Sequence, residues 1–535
     1  MPKLNELLLE IFSEEIPALM QKNAASNLLD AFLKKVNELW KHCSNNINSI
    51  SFVTPRRIGF HVTDIPTEQL IEEEIRGPRI GAPKQALDGF LGRYDLDNVG
   101  KLEEKNGFWV YKKNSNSNVI DTLKSLLEEI LCNFVWPKSM RWSTYDTKWI
   151  RPIHSILCLF NDKSLPIKFG HLTASNISYG HRFIREEPIV IDNISEYYAK
   201  LRQASVLLSP EERRQKILTD VTLAVSGMDL QLIADEDLLG EIVGLVENPV
   251  IFIGQIDKHF MALPEEVLIT TLKLHQKYLM LQDMQGKVAS YFVIVSNIEP
   301  HDGGNAIVSG NEKVVRARLT DAEFFITQDC KKNLDQYAAA LSKVTFHSSI
   351  GNMHDKVERM KDIAVKLAEM INMNLDTYGV SAGKVVRAVE LCKNDLVTGM
   401  VKEFPELQGI MGYYYALYQG EDIEVARAIR EHHKPRGPED AVPIGLISAI
   451  VAMADKLDTL NQMFGAGIKP TGSKDPYALR RAALGVIRII SANCLNVSLK
   501  ALEIRNDVLD FIAERLKNLE TTNYSLTFIK NALQC

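Results

Sequence analysis

The sequence predicts a multidomain protein with an α+β N-terminal half followed by an all-α C-terminal half. Three observations support this fold class. The chain has 535 residues, of which 46% are hydrophobic and 24% charged, so it can bury several cores. Strand and helix patterns alternate through roughly the first 335 residues. After Lys343 the strand patterns nearly vanish and long helical patterns take over.

The N-terminal half begins with a predicted strand over Leu7 to Phe12, and an amphipathic helix follows around residues 28–40. Apolar residues alternate from Ile58 to Val62, which predicts another strand. Further strands are predicted at Phe108 to Tyr111, Ile153 to Phe160, Val250 to Ile256 and Ala289 to Ile298, and further helices at Asp121 to Phe134, Pro210 to Ala224 and Pro264 to His275.

The C-terminal half contains apolar residues at helical spacing in five segments. The predicted helices are Met353 to Met373, Lys384 to Glu403, Ile423 to His433, Pro443 to Phe464 and Pro476 to Ala492. Polar or Gly/Pro-rich stretches at Asn114 to Asn118, His301 to Asn305 and Lys434 to Pro443 are candidate boundaries. We predict an α+β region over 1–335, a helical domain over 340–468 and a basic helical region over 469–535.

The composition excludes several classes of protein. The seven cysteines form no C-x-x-C pair, so neither a disulfide framework nor a zinc knuckle is predicted. The N-terminus has no cationic start or cleavage site, and no run approaches 18 apolar residues, so we predict a cytoplasmic protein without a membrane span. The sequence contains no G-x-G-x-x-G, H-E-x-x-H or G-x-S-x-G motif.

The stretch from Lys469 to Arg488 concentrates positive charge near the start of a predicted helix. It carries five basic side chains and one acidic one, a local net charge of +4 on a chain whose net charge is -6. Ser473 or Asp475 is the predicted N-cap and Pro476 the first helical residue, so the two arginines at 480 and 481 fall one turn into the helix. We predict an anionic partner; a solvated face beside a packed helix is an equal alternative.

Two other segments, Ser309 to Phe325 and Thr54 to Arg57, carry cations that could contact phosphates. The first ends in the aromatic pair Phe324 and Phe325, which would add a stacking surface. Its acidic residues also balance its charge, so an ordinary salt-bridged surface is the alternative. The basic side chains are Lys313, Arg316 and Arg318 in the first segment, and Arg56 and Arg57 in the second.

The helical half also contains a scatter of residues that bind metals, in an order similar to that of HD-type phosphohydrolases. They are His354, Asp395, His432, His433 and Asp455. Such a site needs imidazoles and carboxylates that converge on one or two cations. Asn394 stands where the histidine of the His-Asp doublet belongs, and an amide is a poor substitute for imidazole. We therefore predict a degenerate HD-type helical domain, retained as a scaffold, and no firm metal site.

Ordered motifs spread over nearly the whole chain resemble one family, the beta subunit of the bacterial heterotetrameric glycyl-tRNA synthetase (glycine--tRNA ligase). The motifs are LLLEIFSEEIPA (Leu7 to Ala18), TPRR (Thr54 to Arg57), RGP (Arg76 to Pro78), MRW (Met140 to Trp142), RPIH (Arg151 to His154), GHRF (Gly180 to Phe183), HQKY (His275 to Tyr278), SGNEKVVRARLTDAEFF (Ser309 to Phe325), EFPELQGIMG (Glu403 to Gly412), ADKLDTL (Ala454 to Leu460) and PTGSKDPYALRRAALG (Pro470 to Gly485).

The resemblance implies a required partner without a catalytic residue of its own. The family's alpha subunit holds the class II site for glycine and ATP, and the beta subunit binds and positions tRNA(Gly) in a tetramer of two alpha and two beta subunits. The family also has an HD-type domain whose metal ligands are usually degraded, and a basic helical region for tRNA. The resemblance makes Lys474, Arg480, Arg481, Lys313, Arg316, Arg318, Arg56 and Arg57 candidate tRNA contacts.

One departure from the family lies at the C-terminus. Family members continue past the position of Cys535 into a helical anticodon-binding domain, so we expect residues 469–535 to include only the start of an incomplete one. Two alternatives stay open. The chain could be a metal-dependent HD-type phosphohydrolase, or a decayed scaffold that binds the alpha subunit without supporting charging.

Overall fold

The computed structural model describes residues 5–39, 47–65, 70–94, 96, 102–116, 119–373, 379–472 and 474–517. The chain forms two compact units. The N-terminal unit comprises Met1–Gly254 and Lys277–Ser309, and the helical unit comprises Gln255–Gln276 and Gly310–Cys535. None of the helices within the described residues is long and apolar enough to cross a membrane.

Strands and helices alternate through residue 296. In chain order they are β1 (Leu7–Ser13), α1 (Ala18–Leu39), β2 (Asn48–Val53), β3 (Arg57–Thr63), β4 (Leu70–Arg79), α2 (Lys84–Arg93), β5 (Leu102–Lys105), β6 (Phe108–Asn116), α3 (Val119–Asn133), β7 (Met140–Arg141), β8 (Lys148–Trp149), β9 (Ile153–Phe160), β10 (Lys163–Ser164), β11 (Lys168–Phe169), β12 (Leu172–Thr173), β13 (Ile177–Tyr179), β14 (Pro188–Val190), α4 (Ile194–Gln203), α5 (Pro210–Ala224), β15 (Leu230–Leu232), α6 (Glu236–Val243), β16 (Val250–Gln255), α7 (Glu265–Gln276), β17 (Leu279–Asp283) and β18 (Val288–Ser296).

Helices dominate the remainder. These elements are α8 (Asn305–Asp329), α9 (Asp335–Ala338), β19 (Thr345–His347), β20 (Gly351–Asn352), α10 (Met353–Met373), α11 (Ala382–Leu391), α12 (Gly399–Glu403), α13 (Ile410–Tyr418), α14 (Ile423–Glu431), α15 (Leu446–Gly465), α16 (Leu479–Ala492) and α17 (Asn506–Lys517). The mixed N-terminal half and the helical C-terminal half are as the sequence predicts.

The largest sheet of the N-terminal unit has the strand order β10-β9-β1-β3-β2, with every pair antiparallel. β1 lies in the middle and is buried along its whole length. Because successive side chains of a strand point to opposite faces, Leu9 joins the core that includes Phe32 of α1, whereas Leu8 joins the core that includes Tyr197 of α4. Glu10 therefore points to the second face and is buried there.

The N-terminal unit contains further sheets. β15, β17, β18 and β16 form a four-stranded sheet in that order, and its core includes residues of α5 and α6. β4, β6 and β5 form a three-stranded sheet, and three short pairs are formed by β7 with β8, β11 with β12, and β13 with β14. The predicted strands and helices of this half are confirmed, and α5 has the predicted bounds.

The helical unit is built around one apolar core that extends from α7 to α17. α15 is buried on nearly all sides. α10 has the predicted bounds, but the helix predicted over Lys384 to Glu403 is wrong, because α11 ends at Leu391 and α12 begins at Gly399. The break is fixed by Asp329, whose carboxylate accepts hydrogen bonds from the backbone N–H groups of Gly399 and Met400 at 2.8 and 2.9 Å.

Candidate nucleic-acid interface

A cavity of about 410 Å³ lies in the helical unit at the start of α16. α15 contributes Asp455 and Lys456 to its wall, and α16 contributes Arg481. The segment after α14 contributes His433 and Arg436. The cavity thus brings together one part of the basic stretch and one part of the HD-like scatter, which lie far apart in sequence.

The structure corrects the predicted start of the basic helix. α16 begins at Leu479, after Ala478 in a left-handed conformation with φ of 55°, and Pro476 lies outside it. Asp475 nevertheless satisfies the free N–H groups of the first turn, because its carboxylate accepts from the backbone of Leu479 and Arg480, both at 2.9 Å. The alternative cap, Ser473, lies outside the described residues. Arg481 consequently sits within the first turn.

The basic side chains of this stretch divide into paired and free groups. Arg480 donates to the Gly472 carbonyl at 2.7 Å, and Lys469 lies 2.9 Å from the Asp507 carboxylate. Arg488 donates to two backbone carbonyls of the segment between α14 and α15. Arg481 and Lys474 are exposed, and their side chains have no ionic or hydrogen-bonding partner within the described part of the chain. The charge available to a partner is therefore smaller than the local count of +4.

α8 carries the second group of candidate cations. Arg316 forms a bidentate pair with Asp257, at 2.6 and 3.0 Å, and Arg318 lies 3.5 Å from a Glu403 oxygen. Lys313 is exposed and has no partner of its own among the described residues. The aromatic pair also splits, because Phe325 packs against the core while Phe324 is 56% exposed. One free cation and one exposed ring, which meets Phe325 edge to face, therefore remain on this helix.

Three of the five predicted metal-type residues converge. The potential ligand atoms of His432, His433 and Asp455 lie within 4.8 Å of one another. Two lysines share this position, because the amino groups of Lys356 and Lys393 lie 3.0 and 3.1 Å from Oδ1 of Asp455. Both lysines are buried. Two ammonium groups thus supply the positive charge that a divalent cation would bring.

The pKa shifts follow from this arrangement. Burial lowers the pKa of His432 and of His433 well below its usual range, and the Lys393 ammonium lowers both further. Burial alone would raise the pKa of Asp455, but Lys356 and Lys393 outweigh it and hold this pKa well below the usual value. The imidazoles are neutral, as a metal requires, but a cation would meet two ammonium groups at its only carboxylate. The residues present therefore do not fit a metal centre.

The other two predicted metal-type residues lie outside this group. Oδ2 of Asp395 accepts hydrogen bonds from the backbone N–H groups of Gly409 and Gly412, at 2.6 and 2.9 Å, so it holds the start of α13. Burial raises the pKa of Asp395 to about 6 despite these bonds. His354 is exposed at the start of α10. Asn394 donates to the Leu334 carbonyl at 3.1 Å.

A second cavity, of about 430 Å³, lies in the N-terminal unit. Glu14 is central to it: its carboxylate lies 2.8 Å from His154, 2.9 Å from Arg182 and 3.9 Å from Arg56. The Arg56 guanidinium also lies 4.5 Å from the centre of the Phe12 ring. Arg56 is largely buried, with 12% of its side chain exposed, and is held by an anion, a ring and the Ser13 carbonyl, which accepts from its Nε at 3.2 Å.

Arg57 is completely buried, with 0% of its side chain exposed. Its guanidinium lies 3.4 Å from Glu10, pairs with Glu247, and donates to the Gly180 carbonyl at 3.1 Å. In this position it stabilises the interior and presents nothing to a partner. Arg57 therefore leaves the set of candidate tRNA contacts.

Comparison with known proteins identifies the family. A family model described as glycyl-tRNA synthetase beta subunit matches residues 7–534. The chain belongs to this family. It is 41% identical over 553 residues to the glycine--tRNA ligase beta subunit of Rickettsia conorii, an alignment that covers 99% of this chain and 80% of the relative. The beta subunits of Phenylobacterium zucineum and Rhodospirillum centenum are 41% and 40% identical, over 96% of this chain and 76% and 77% of theirs.

The glycyl-tRNA synthetase beta subunit motifs converge on the two cavities. The second cavity collects Glu14, Arg56, His154 and Arg182 from four separate motifs. Sequence reasoning missed the residues that complete the first cavity, because they carry no motif of their own and lie within or beside segments with another predicted role. These are Arg436 in the Gly/Pro-rich segment, Lys456 in ADKLDTL, and Tyr477 before the basic helix. Lys356 and Lys393 were also missed; they contact Asp455 and do not line the cavity.

Proposed function

We propose that this chain is the tRNA-binding subunit of a glycine--tRNA ligase. With an alpha subunit that holds the class II site, the complex attaches glycine to tRNA(Gly) and converts ATP to AMP and diphosphate. The proposed assembly contains two alpha and two beta subunits in the cytoplasm. Family membership and relatives named glycine--tRNA ligase beta subunit support this proposal.

The observation that carries the tRNA-binding role is the exposure of unpaired cations beside a concave surface. Arg481 and Lys474 are exposed without partners in the described part of a chain whose net charge is -6, and Arg481 lines the first cavity. Free cations gain most from a phosphate, since no protein anion competes for them. Their role is positional: they hold the RNA so that its terminal hydroxyl meets activated glycine in the alpha subunit.

The candidate contacts fall into two groups according to their present partners. Arg481, Lys474 and Lys313 are free. Arg480, Arg316, Arg318 and Arg56 are engaged with carbonyl or carboxylate oxygens, which an RNA phosphate would have to displace. We expect substitutions in the first group to weaken tRNA binding more than substitutions in the second.

We further propose that residues 340–468 are a degenerate HD-type domain that works without metal, and that residues 469–535 form a basic region and the start of an anticodon-binding domain. The convergence of His432, His433 and Asp455 supports the HD-type arrangement. The same convergence is the one observation in favour of a metal-dependent phosphohydrolase, and the two lysines at Asp455 count against it. Phosphatase activity that requires added Mn²⁺ and disappears in Asp455→Ala would instead support the metal-dependent phosphohydrolase.

Glycine charging of tRNA(Gly) tests the main proposal. The alpha subunit is assayed alone, with this chain, and with the Arg481→Ala variant. Charging that appears only when the chain is added supports the proposal. Binding to the alpha subunit without any charging would favour a decayed scaffold instead.

A further inference from the structure

The first cavity has a composition that its position near the basic helix does not by itself explain. Its wall carries three cations, Arg436, Lys456 and Arg481, and one carboxylate, Asp455. They come from three segments: α15, α16 and the stretch that follows α14. Because the three cations line one cavity, they can contact a single bound anion together.

The single carboxylate of the wall does not oppose an anionic ligand. Oδ1 of Asp455 already faces Lys356 and Lys393 at 3.0 and 3.1 Å, on buried side chains. Asp440 is the other carboxylate whose charge acts on Lys456, and it also accepts from the backbone N–H of Arg436 at 2.7 Å. Cations therefore outnumber anions around the cavity even when Asp440 is included.

The cations differ in how they are held. Lys456 is buried, and its amino group donates to the His433 carbonyl at 3.0 Å, so its position is fixed. Arg436 and Arg481 are exposed, and neither guanidinium has a partner within the described residues. A guanidinium can offer two parallel N–H donors to phosphate oxygens. Two free guanidinium groups and a fixed ammonium on one cavity can bind an anion with several acceptor oxygens.

An aromatic ring lies at the same cavity. Tyr477 lines it and is 43% exposed. Its ring meets that of His347 edge to face, with centroids 5.6 Å apart, so its orientation is supported. An exposed, supported ring is a suitable stacking surface for a nucleobase next to a bound phosphate.

We propose that this cavity binds a terminal phosphomonoester, the 5′-phosphate of an RNA end, through Arg436, Arg481 and Lys456, without a metal ion. The inference rests on the proposed tRNA-binding function and names the group that the cavity takes. A phosphomonoester carries a charge of about -1.5 to -2 at pH 7 and three terminal oxygens, whereas each backbone phosphodiester carries a single charge. The cation excess and the two free guanidinium groups on the same cavity match the monoester better.

The test compares tRNA(Gly) with a 5′-phosphate and the same RNA with a 5′-hydroxyl. Filter binding with the full 535-residue chain gives the affinity ratio. We expect about tenfold tighter binding of the phosphorylated RNA, the scale of one charge-assisted interaction. The ratio should fall towards one in Arg436→Ala and in Arg481→Ala. It should persist in Arg427→Ala, which removes an exposed arginine of α14 that does not line the cavity.

A second experiment separates this inference from the function on which it rests. Titration with GMP and with guanosine in the presence of EDTA measures phosphomonoester binding without RNA and without metal. If the chain binds GMP but not guanosine, and Arg436→Ala weakens GMP binding, the cavity assignment is supported even if tRNA is not bound. Equal affinity for the two RNAs while tRNA binding is intact would overturn the inference and leave the proposed function standing. Absence of both tRNA and GMP binding would overturn both.

Discussion

Replacement of Arg57 by methionine should strongly destabilise the N-terminal unit. The guanidinium is the cation between two buried carboxylates, Glu10 and Glu247. Methionine keeps much of the volume and removes the charge, which leaves both carboxylates without it. Removal of one partner from a buried ion pair costs about 3–5 kcal/mol, because the remaining charge is buried without compensation.

The surroundings of the two carboxylates place the expected cost within that range. Glu10 would keep hydrogen bonds from Ser178 and Tyr197, at 2.6 and 2.5 Å, and Glu247 would keep one from Thr54 at 2.6 Å. These neutral donors offset part of the lost charge interaction. In addition, the Gly180 carbonyl would lose a donor. We therefore expect a loss of about 4 kcal/mol in the free energy of unfolding.

Tryptophan fluorescence during urea unfolding is the appropriate assay. All five tryptophans of the sequence lie at positions 40, 109, 136, 142 and 149, so their emission reports on the N-terminal unit alone. Arg56→Met is the matched control. The Arg56 guanidinium lies 3.9 Å from the Glu14 carboxylate, which would keep His154 and Arg182 as partners, so no carboxylate is left without a partner. The main loss is the hydrogen bond to the Ser13 carbonyl, and we expect a cost of about 1–2 kcal/mol. An Arg57→Met variant as stable as Arg56→Met would refute the reasoning.

The same variant should change the pH dependence of stability in a defined direction. Burial already raises the pKa of Glu10 above its ordinary value with Arg57 present. Without the guanidinium the folded state would bind protons more readily than the unfolded state. Stability of the variant therefore falls as pH rises, and its deficit relative to the unsubstituted chain should shrink from pH 8 to pH 5. A deficit that does not change with pH would mean that lost packing, and not buried charge, is responsible.

Three further predictions concern other parts of the chain. Gly59→Ala should destabilise the N-terminal unit by more than about 3 kcal/mol, because its Cβ would lie 2.1 Å from the Leu9 carbonyl oxygen; tryptophan fluorescence would measure the loss, and a near-normal unfolding midpoint would contradict it. Burial raises the pKa of Asp395 from 3.8 to about 6, so this group contributes stability that is lost as pH rises from about 4 to about 6. Unfolding followed by far-UV circular dichroism should therefore show that the stability of Asp395→Asn depends less on pH over this range. Arg481→Ala should weaken tRNA(Gly) binding and reduce the slope of log K against log salt by about one, whereas an effect of equal size in Arg427→Ala would show that position on the surface does not matter.

The order and type of most elements could be predicted from the chain because they depend on local spacing. Alternating apolar residues predict β3, and apolar residues at helical spacing predict α10. Two helix starts differ from the prediction, and in each a carboxylate sets the start: a distant one for α12 and one four positions earlier for α16. α12 starts anew at Gly399 because the Asp329 carboxylate, some 70 positions earlier, accepts from its first N–H groups. α16 starts at Leu479 because Asp475 caps it across a left-handed Ala478.

The sequence alone determined the family and the presence of basic and HD-like residues, because motifs and residue types can be read in order along the chain. Tertiary structure decided which of those residues are available. Arg57 and Arg481 look alike in sequence, yet one is neutralised in the interior by Glu10 and Glu247 and the other is free at a cavity. The physical reason is that the charge of a side chain acts over a few ångströms, so its role depends on neighbours that distant segments supply.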